Sequence, residues 1–314
     1  MRGLLVINPI ATTITPRARE VLINALAYQF RLETIPTDHR GHAAELGAKA
    51  RAEGVDCVVV FGGDGTVNEV INGMMGEQGP GPDVPALGVV PGGSANVLSR
   101  SLGFPVDAIE ATGELIAAIR ERSLRTIGLG RAGERWFACN AGLGIDAEII
   151  ASMERLRAEG KAATATRYFA TTINQFFRKT DRVASSLVVI QPGEQPVRRV
   201  YVAIIQNTSP WTFLGALPLD PSPGASFDTG LDLWALRSMS VPSGLRYARR
   251  IMAQSKAGST KNLLKLHDQP EFVIACHKPT ALQLDGESLG LVEEVRFSAQ
   301  PNALRVLVPK RLKS

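Results

Sequence analysis

The residues best suited to chemistry lie in a glycine-rich run, VVVFGGDGTVNE at positions 58–69. A buried strand that ends in Gly62 and Gly63 and feeds a helix brings backbone N–H groups and a helix N-terminus to one spot, which makes an anion site. Phosphate is its natural occupant. Gly62, Gly63 and Gly65 let the backbone come close, Thr66 offers a hydroxyl and a helix cap, and Asp64 brings a carboxylate able to hold Mg²⁺ against phosphates. The same pattern also suits a strand-to-helix turn that binds nothing, because three neighbouring glycines are weak grounds by themselves. A second run, VVPGGSAN at 89–96, follows the next strand. In an open parallel sheet ligands sit outside the carboxyl ends of the strands, so loops on successive strands point at one crevice.

Those loops need a sheet to carry them. To about residue 122, short β-branched runs (4–7, 32–35, 57–61 and 87–90) alternate with amphipathic stretches, the grammar of βαβ units that build a parallel sheet. One helix opens at Thr15-Pro16, a second covers about 41–53 and stops at Gly54, and a third follows the glycine turn at 62–65. After about residue 124 many short apolar runs (187–190, 200–205, 231–236, 272–276, 281–284) are separated by Gly, Pro and Asn, which argues for an antiparallel sandwich or barrel. Helical intervals at 146–177 and 242–254 interrupt it, and final runs at 295–298 and 304–308 can complete either part. The expected organisation is an α/β domain over 1–124, to which strands in 295–314 can return, and a β-rich domain over 125–294.

At 314 residues with 45% hydrophobic and 21% charged, the chain can bury a real core and is not a disordered polymer. Its richest apolar run, Val58 to Phe61, is broken at once by Gly62, far short of a membrane span, so a cytoplasmic protein is expected. Cys57, Cys139 and Cys276 are too few and too widely spaced for a disulfide framework or a CxxC metal site. The four histidines (39, 42, 267 and 277) show no HExxH-like spacing, so no catalytic zinc is expected, and His42 reads as a partly buried helix residue. The net charge is only +5, but no acidic residue falls between Asp232 and Asp268 while Arg237, Arg246, Arg249, Arg250, Lys256, Lys261 and Lys265 do. Such a stretch suits phosphates, nucleic acid or anionic lipid, and equally a solvated surface balanced by acids folded in from elsewhere. Phe169, Ile173, Phe176 and Phe177, interleaved with basic residues, suit a packed helix or an interfacial one.

Four motifs taken together resemble the diacylglycerol kinase catalytic family, which includes bacterial diacylglycerol kinases and the sphingosine and ceramide kinases. They are GGDGTVNEVING at 62–73, PGGSAN at 91–96, NAGLGIDAE at 140–148 and LDGE at 284–287. GGDGT alone also resembles NAD kinases and phosphofructokinases; the VNEVING continuation and the late LDGE favour the lipid kinases. The resemblance implies a doubly wound, NAD-kinase-like α/β domain, a C-terminal antiparallel β-sandwich domain, and a cleft between them where ATP phosphorylates a lipid hydroxyl. It implies ATP contacts at Asn8, Thr12, Thr37, Gly62, Gly63, Asp64, Gly65, Thr66, Val67, Asn68, Glu69 and Ser94. Glu287 would be the general base with Asp285 supporting it, Asp64 would hold Mg²⁺, and Asp228 and Asp232 would hold a structural metal.

Two positions depart from the family's usual pattern. NPIATT at 8–13 replaces an NPxSG loop followed by Lys, so that Thr12 and Thr13 would supply hydroxyls, and Val97 stands where many bacterial members have Asp. The acceptor is therefore open between diacylglycerol, the first choice, and a sphingoid or other lipid alcohol. A regulator that keeps the fold without turnover is the alternative of a different class. The partners expected are a lipid substrate at a membrane surface and anionic headgroups, not nucleic acid, with peripheral membrane association; a homodimer is compatible with all of this.

Overall fold

The computed structural model describes residues 2–11, 15–28, 31–144, 187–238, 240–254 and 258–310. The chain divides into two compact units, one of Met1–Ile127 with Asn302–Ser314 and the other of Gly128–Pro301.

In unit 1, each central strand is an apolar run closed by a chain breaker. Strand β1 (Arg2–Ile7) stops at Asn8-Pro9, β3 (Cys57–Gly62) at Gly63, and β4 (Ala86–Pro91) at Gly92. Strand β2 (Arg31–Pro36) is a partly exposed edge. β1 pairs in parallel with β2 and β3, and β3 with β4. Every residue of β3 and β4 is buried, as expected of a parallel sheet covered on both faces. Helix α1 (Pro16–Ala27) is opened by Thr15, whose hydroxyl accepts the Ala18 N–H at 3.1 Å, with Pro16 in the first turn. Helices α2 (His42–Ala52), α3 (Asp64–Met75), α4 (Val97–Ser101) and α5 (Ala108–Glu121) follow in order. α1 packs on α5 and α2 on α3, the doubly wound arrangement. The second pair approaches so closely that a Cβ on Gly73 would stand 1.9 Å from the Ala44 carbonyl oxygen. Strand order reverses at β1, which puts the topological switch point at the carboxyl ends of β1 and β3.

Strand β5 (Leu124–Ala132) leads into unit 2, followed by β6 (Arg135–Phe137), β7 (Asn140–Gly144), β8 (Leu187–Ile190), β9 (Val197–Val200) and β10 (Val202–Gln206). Then come β11 (Thr212–Leu214), β12 (Leu217–Leu219), β13 (Leu231–Leu236), helix α6 (Val241–Met252), β14 (Leu263–Gln269), β15 (Glu271–Leu284) and β16 (Glu287–Leu307). Neighbours pair antiparallel around a core that includes Phe137, Leu143, Ile205, Leu233, Phe272 and Phe297. β15 changes partner along its length: its first half pairs with β8 and its second half with β7. Two expected pairs of short strands, 272–276 with 281–284 and 295–298 with 304–308, are in fact two continuous strands. β16 ends in unit 1, where Val306 lies opposite Leu87 in parallel. Helix α6 falls at the expected 242–254, whereas the helical interval 146–177 lies outside the described residues. Among the described residues no helix is long and apolar enough to cross a membrane.

Candidate functional site

In unit 1, the two glycine loops leave β3 and β4 side by side and touch. Gly92 N–H donates to Gly62 O at 2.9 Å, and a Cβ on Gly93 would stand 2.7 Å from Gly63 Cα. Asn96 fixes the second loop: it is buried, sits in the left-handed region at φ +48°, accepts the Gly93 N–H at 2.8 Å and donates to Gly93 O at 2.7 Å. Ser94 is exposed on that loop. Asp64 is the first residue of α3, where a carboxylate is favoured by the helix dipole, and its Oδ1 accepts the Leu98 N–H at 3.2 Å. Asp64 also acts on Arg100, whose pKa burial draws down and the carboxylate raises.

The N-cap of α3 is Gly63, so the cap residue has no side chain to take up the amides of the first turn, the arrangement that suits an anion. Above Gly65 the space is open, since a Cβ there would meet nothing within 4 Å. Thr66 was expected to cap the helix but does not: it lies in the first turn, buried, and its hydroxyl accepts from Asn8 Nδ2 at 2.9 Å, tying the end of β1 to α3. Glu69 is similarly occupied, its Oε2 accepting the Gly41 N–H at 3.1 Å. Val67 and Asn68 are buried in the first turns of α3. Thr37 closes β2, its N–H donating to Ile7 O at 2.8 Å. Thr12 lies outside the described residues. One carboxylate beside open phosphate space is how Mg²⁺ is commonly held, together with the phosphates themselves, so Asp64 fits that ion.

In unit 2, the LDGE segment is a two-residue hairpin turn between β15 and β16. Asp285 at φ +47° and Gly286 at φ +83° supply the left-handed pair that such a turn requires, and Leu284 faces Glu287 across it. Asp285 is buried, and its two oxygens accept three backbone N–H groups: Ala138 at 2.7 Å, Cys139 at 2.8 Å and Asn140 at 2.9 Å. It thereby anchors the start of β7. Asn140 in turn accepts from Gln283 at 3.0 Å and donates to Trp211 O at 2.9 Å. Glu287 presents Oε2 to Arg135 Nη2 at 3.5 Å, with 13% of its side chain exposed.

The two residues expected to hold a structural metal differ in setting. Asp228 is exposed, whereas Asp232 is buried and gives Oδ1 to His267 Nδ1 at 2.8 Å and to the Asp268 N–H at 3.1 Å. Burial raises the Asp232 pKa against the pull of those two donors. Among the described residues no third His, Cys, Asp or Glu ligand joins the two.

Sequence reasoning missed Asn96 as the clamp of the second loop and Arg135 as the partner of Glu287. The first was available as an Asn three residues beyond Gly93, a residue type that tolerates φ > 0; the second pairs residues 152 positions apart and left no local signal.

Residues 2–132 match the family described as the diacylglycerol kinase catalytic domain. A Staphylococcus saprophyticus diacylglycerol kinase is 32% identical over 118 residues, covering 38% of this chain and 36% of that protein. A Chromohalobacter salexigens protein named probable lipid kinase YegS-like is 33% identical over 137 residues, 44% of this chain and 42% of the other. The chain thus matches less than half the length of either relative. Over 99% of its length the fold resembles that of a Bacillus anthracis diacylglycerol kinase structure (TM-score 0.74, 21% identity, 98% of that chain). It also resembles an Archaeoglobus fulgidus NAD kinase solved with ATP (TM-score 0.51, 10% identity, 99% of this chain and 95% of that one). The sequence similarity to that family thus lies in residues 2–132.

Proposed function

We propose that the protein is an ATP-dependent lipid kinase that moves the γ-phosphate to a lipid hydroxyl, with diacylglycerol the first acceptor to test and a sphingoid or other lipid alcohol the second. The observation that carries this reading is the pinned pair of glycine loops with open space over Gly65 at a helix N-terminus whose cap residue is Gly63. Such a site can hold a polyphosphate through backbone amides and little else.

The residues divide the work. The loops at 62–65 and 92–94 position the phosphates, and Asn96 keeps the second loop shaped before any ligand arrives. Asp64 would hold Mg²⁺, which when bound neutralises phosphate charge. Glu287 is assigned to take the proton of the acceptor hydroxyl, and Arg135 to orient its carboxylate. The substrate's home is a bilayer, and the proposed docking surface is the basic stretch of unit 2. Arg246, Arg249 and Lys261 are exposed there, and Arg246 and Arg250 each stand 5.5 Å from the ring of buried Tyr247. Cationic residues near an anionic surface contribute about 1 kcal/mol each, enough for reversible association.

The test is incubation with labelled ATP and a panel of purified lipid alcohols, followed by separation of the lipid products. A labelled lipid from one class identifies the acceptor. ATP binding with no labelled product from any class would favour the regulator reading instead.

A further inference from the structure

The turn after β2 gathers three metal-ligating side chains that the phosphate site does not use. Asp38 Oδ1 lies 2.5 Å from His39 Nδ1 and 2.7 Å from His42 Nδ1, and the three ligand atoms fall within 4.8 Å of one another. The imidazole rings stack almost parallel, 4.9 Å between centroids and 6° between planes.

Hydrogen bonding alone satisfies His42 poorly. His42 Nδ1 is placed to accept the Asp38 N–H at 3.3 Å, which calls for a lone pair on that nitrogen. The same nitrogen faces Asp38 Oδ1, which calls for a proton. A cation between Nδ1 and Oδ1 would receive both lone pairs. Two ligands held about 2.0 Å from a tetrahedral metal are about 3.3 Å apart, so the contacts of Asp38 with the two rings must open by roughly 0.6 to 0.8 Å. Asp38 and His39 are exposed and can make that move.

A second feature points the same way. His39 uses Nδ1 toward the cluster and turns Nε2 to Glu45 Oε1 at 3.4 Å. A carboxylate behind the far ring nitrogen is how metal-ligating histidines are oriented. The backbone carrying these groups is held independently of them, by Thr37 N–H to Ile7 O and by Gly41, at φ +88°, donating to Glu69.

We propose that Asp38, His39 and His42 bind one divalent transition metal of the zinc class at the carboxyl edge of β2, with Glu45 orienting His39. Two imidazole nitrogens and one carboxylate oxygen suit Zn²⁺, Co²⁺ or Ni²⁺; Mg²⁺ prefers oxygen alone. Three protein ligands leave a fourth position for water or an anionic oxygen. The site stands apart from the phosphotransfer reading and survives its failure.

The test is calorimetric titration of the full, tag-free chain with ZnCl₂ in the presence of millimolar MgCl₂. One equivalent of Zn²⁺ binding is expected. Asp38→Ala, His39→Ala and His42→Ala should each weaken it at least tenfold, the His39→Ala/His42→Ala pair should abolish it, and Glu45→Gln should weaken it about tenfold. His267→Ala, which removes the His–Asp pair of unit 2, should leave it unchanged. Melting curves in chelator should coincide for wild type and the Asp38 and His39 variants, separating loss of ligand from loss of fold. The proposal is overturned if wild type binds no stoichiometric Zn²⁺, if the double variant binds as wild type does, if Mg²⁺ competes at comparable concentration, or if His267→Ala removes the binding.

Discussion

Gly93 and Gly63 meet backbone to backbone: a methyl group on Gly93 would stand 2.7 Å from the Cα of Gly63. Neither backbone can yield without moving the loop that follows it, so two loops from different strands are fixed as one surface. Gly93→Ala should therefore cost about 1–3 kcal/mol of stability, in the range of overpacked cores, and disturb both loops. Gly65→Val, in open space, should disturb the fold far less and act instead by filling the volume reserved for phosphate. Paired melting curves and ATP-binding isotherms check this; equal melting loss in both variants would contradict it.

The acids of the hairpin turn should separate cleanly. Asp285→Ala strands three backbone N–H groups in a buried setting, each worth about 1–3 kcal/mol when unsatisfied, so that variant should be destabilised by several kcal/mol or fail to fold. Glu287→Gln keeps its shape and should melt near wild type while kcat falls by about 10²-fold or more. Denaturant unfolding beside steady-state kinetics distinguishes a structural acid from a catalytic one. A stable, inactive Asp285→Ala protein would reverse the assignment.

Vesicle binding should be electrostatic. Arg246→Ala/Arg249→Ala/Lys261→Ala should bind vesicles rich in phosphatidylglycerol less well than wild type, and added salt should shrink the difference because screening weakens both. Sedimentation with neutral and anionic vesicles measures it; equal binding to both at low salt would refute the electrostatic account.

Burial pushes the Cys57 thiol up to about 12, and Cys139 is buried too, whereas Cys276 is only partly covered. The reactive thiolate form of Cys57 is thus nearly absent at pH 8 in the folded state and returns on unfolding. A thiol reagent at pH 8 should label Cys276 first and all three cysteines only in denaturant. Rapid labelling of Cys57 in the native protein would show that unit 1 opens there.

The central strands of unit 1 were legible because each is a continuous apolar run closed by Gly or Asn-Pro; the observed β3 and β4 extend the expected 57–61 and 87–90 by one residue or two. In unit 2 the same rule failed. Exposed residues 277–279 looked like a turn but form an irregular stretch where the register between β15 and β16 shifts, and pairing on either side keeps the strand whole. Residues 300–302 misled in the same way: Gln300, Pro301 and Asn302, the last at φ +51°, bend β16 without ending it. The glycine loops could be read locally; their mutual contact could not, because Gly63 and Gly93 are brought together only by the pairing of β3 with β4. The His39 and His42 cluster escaped for a similar reason: Gly41 at φ +88° bends the turn back, and no linear metal motif records it.

The central claim is phosphoryl transfer to lipid by residues of the first glycine loop. Its most direct measurement is the amount of label passed from γ-labelled ATP to a lipid alcohol by wild type and by Asp64→Ala, at matched protein concentration and with both proteins shown to be folded. The account predicts labelled lipid from wild type and nearly none from Asp64→Ala. Equal label from the two proteins, or none from wild type with any lipid offered, would contradict it.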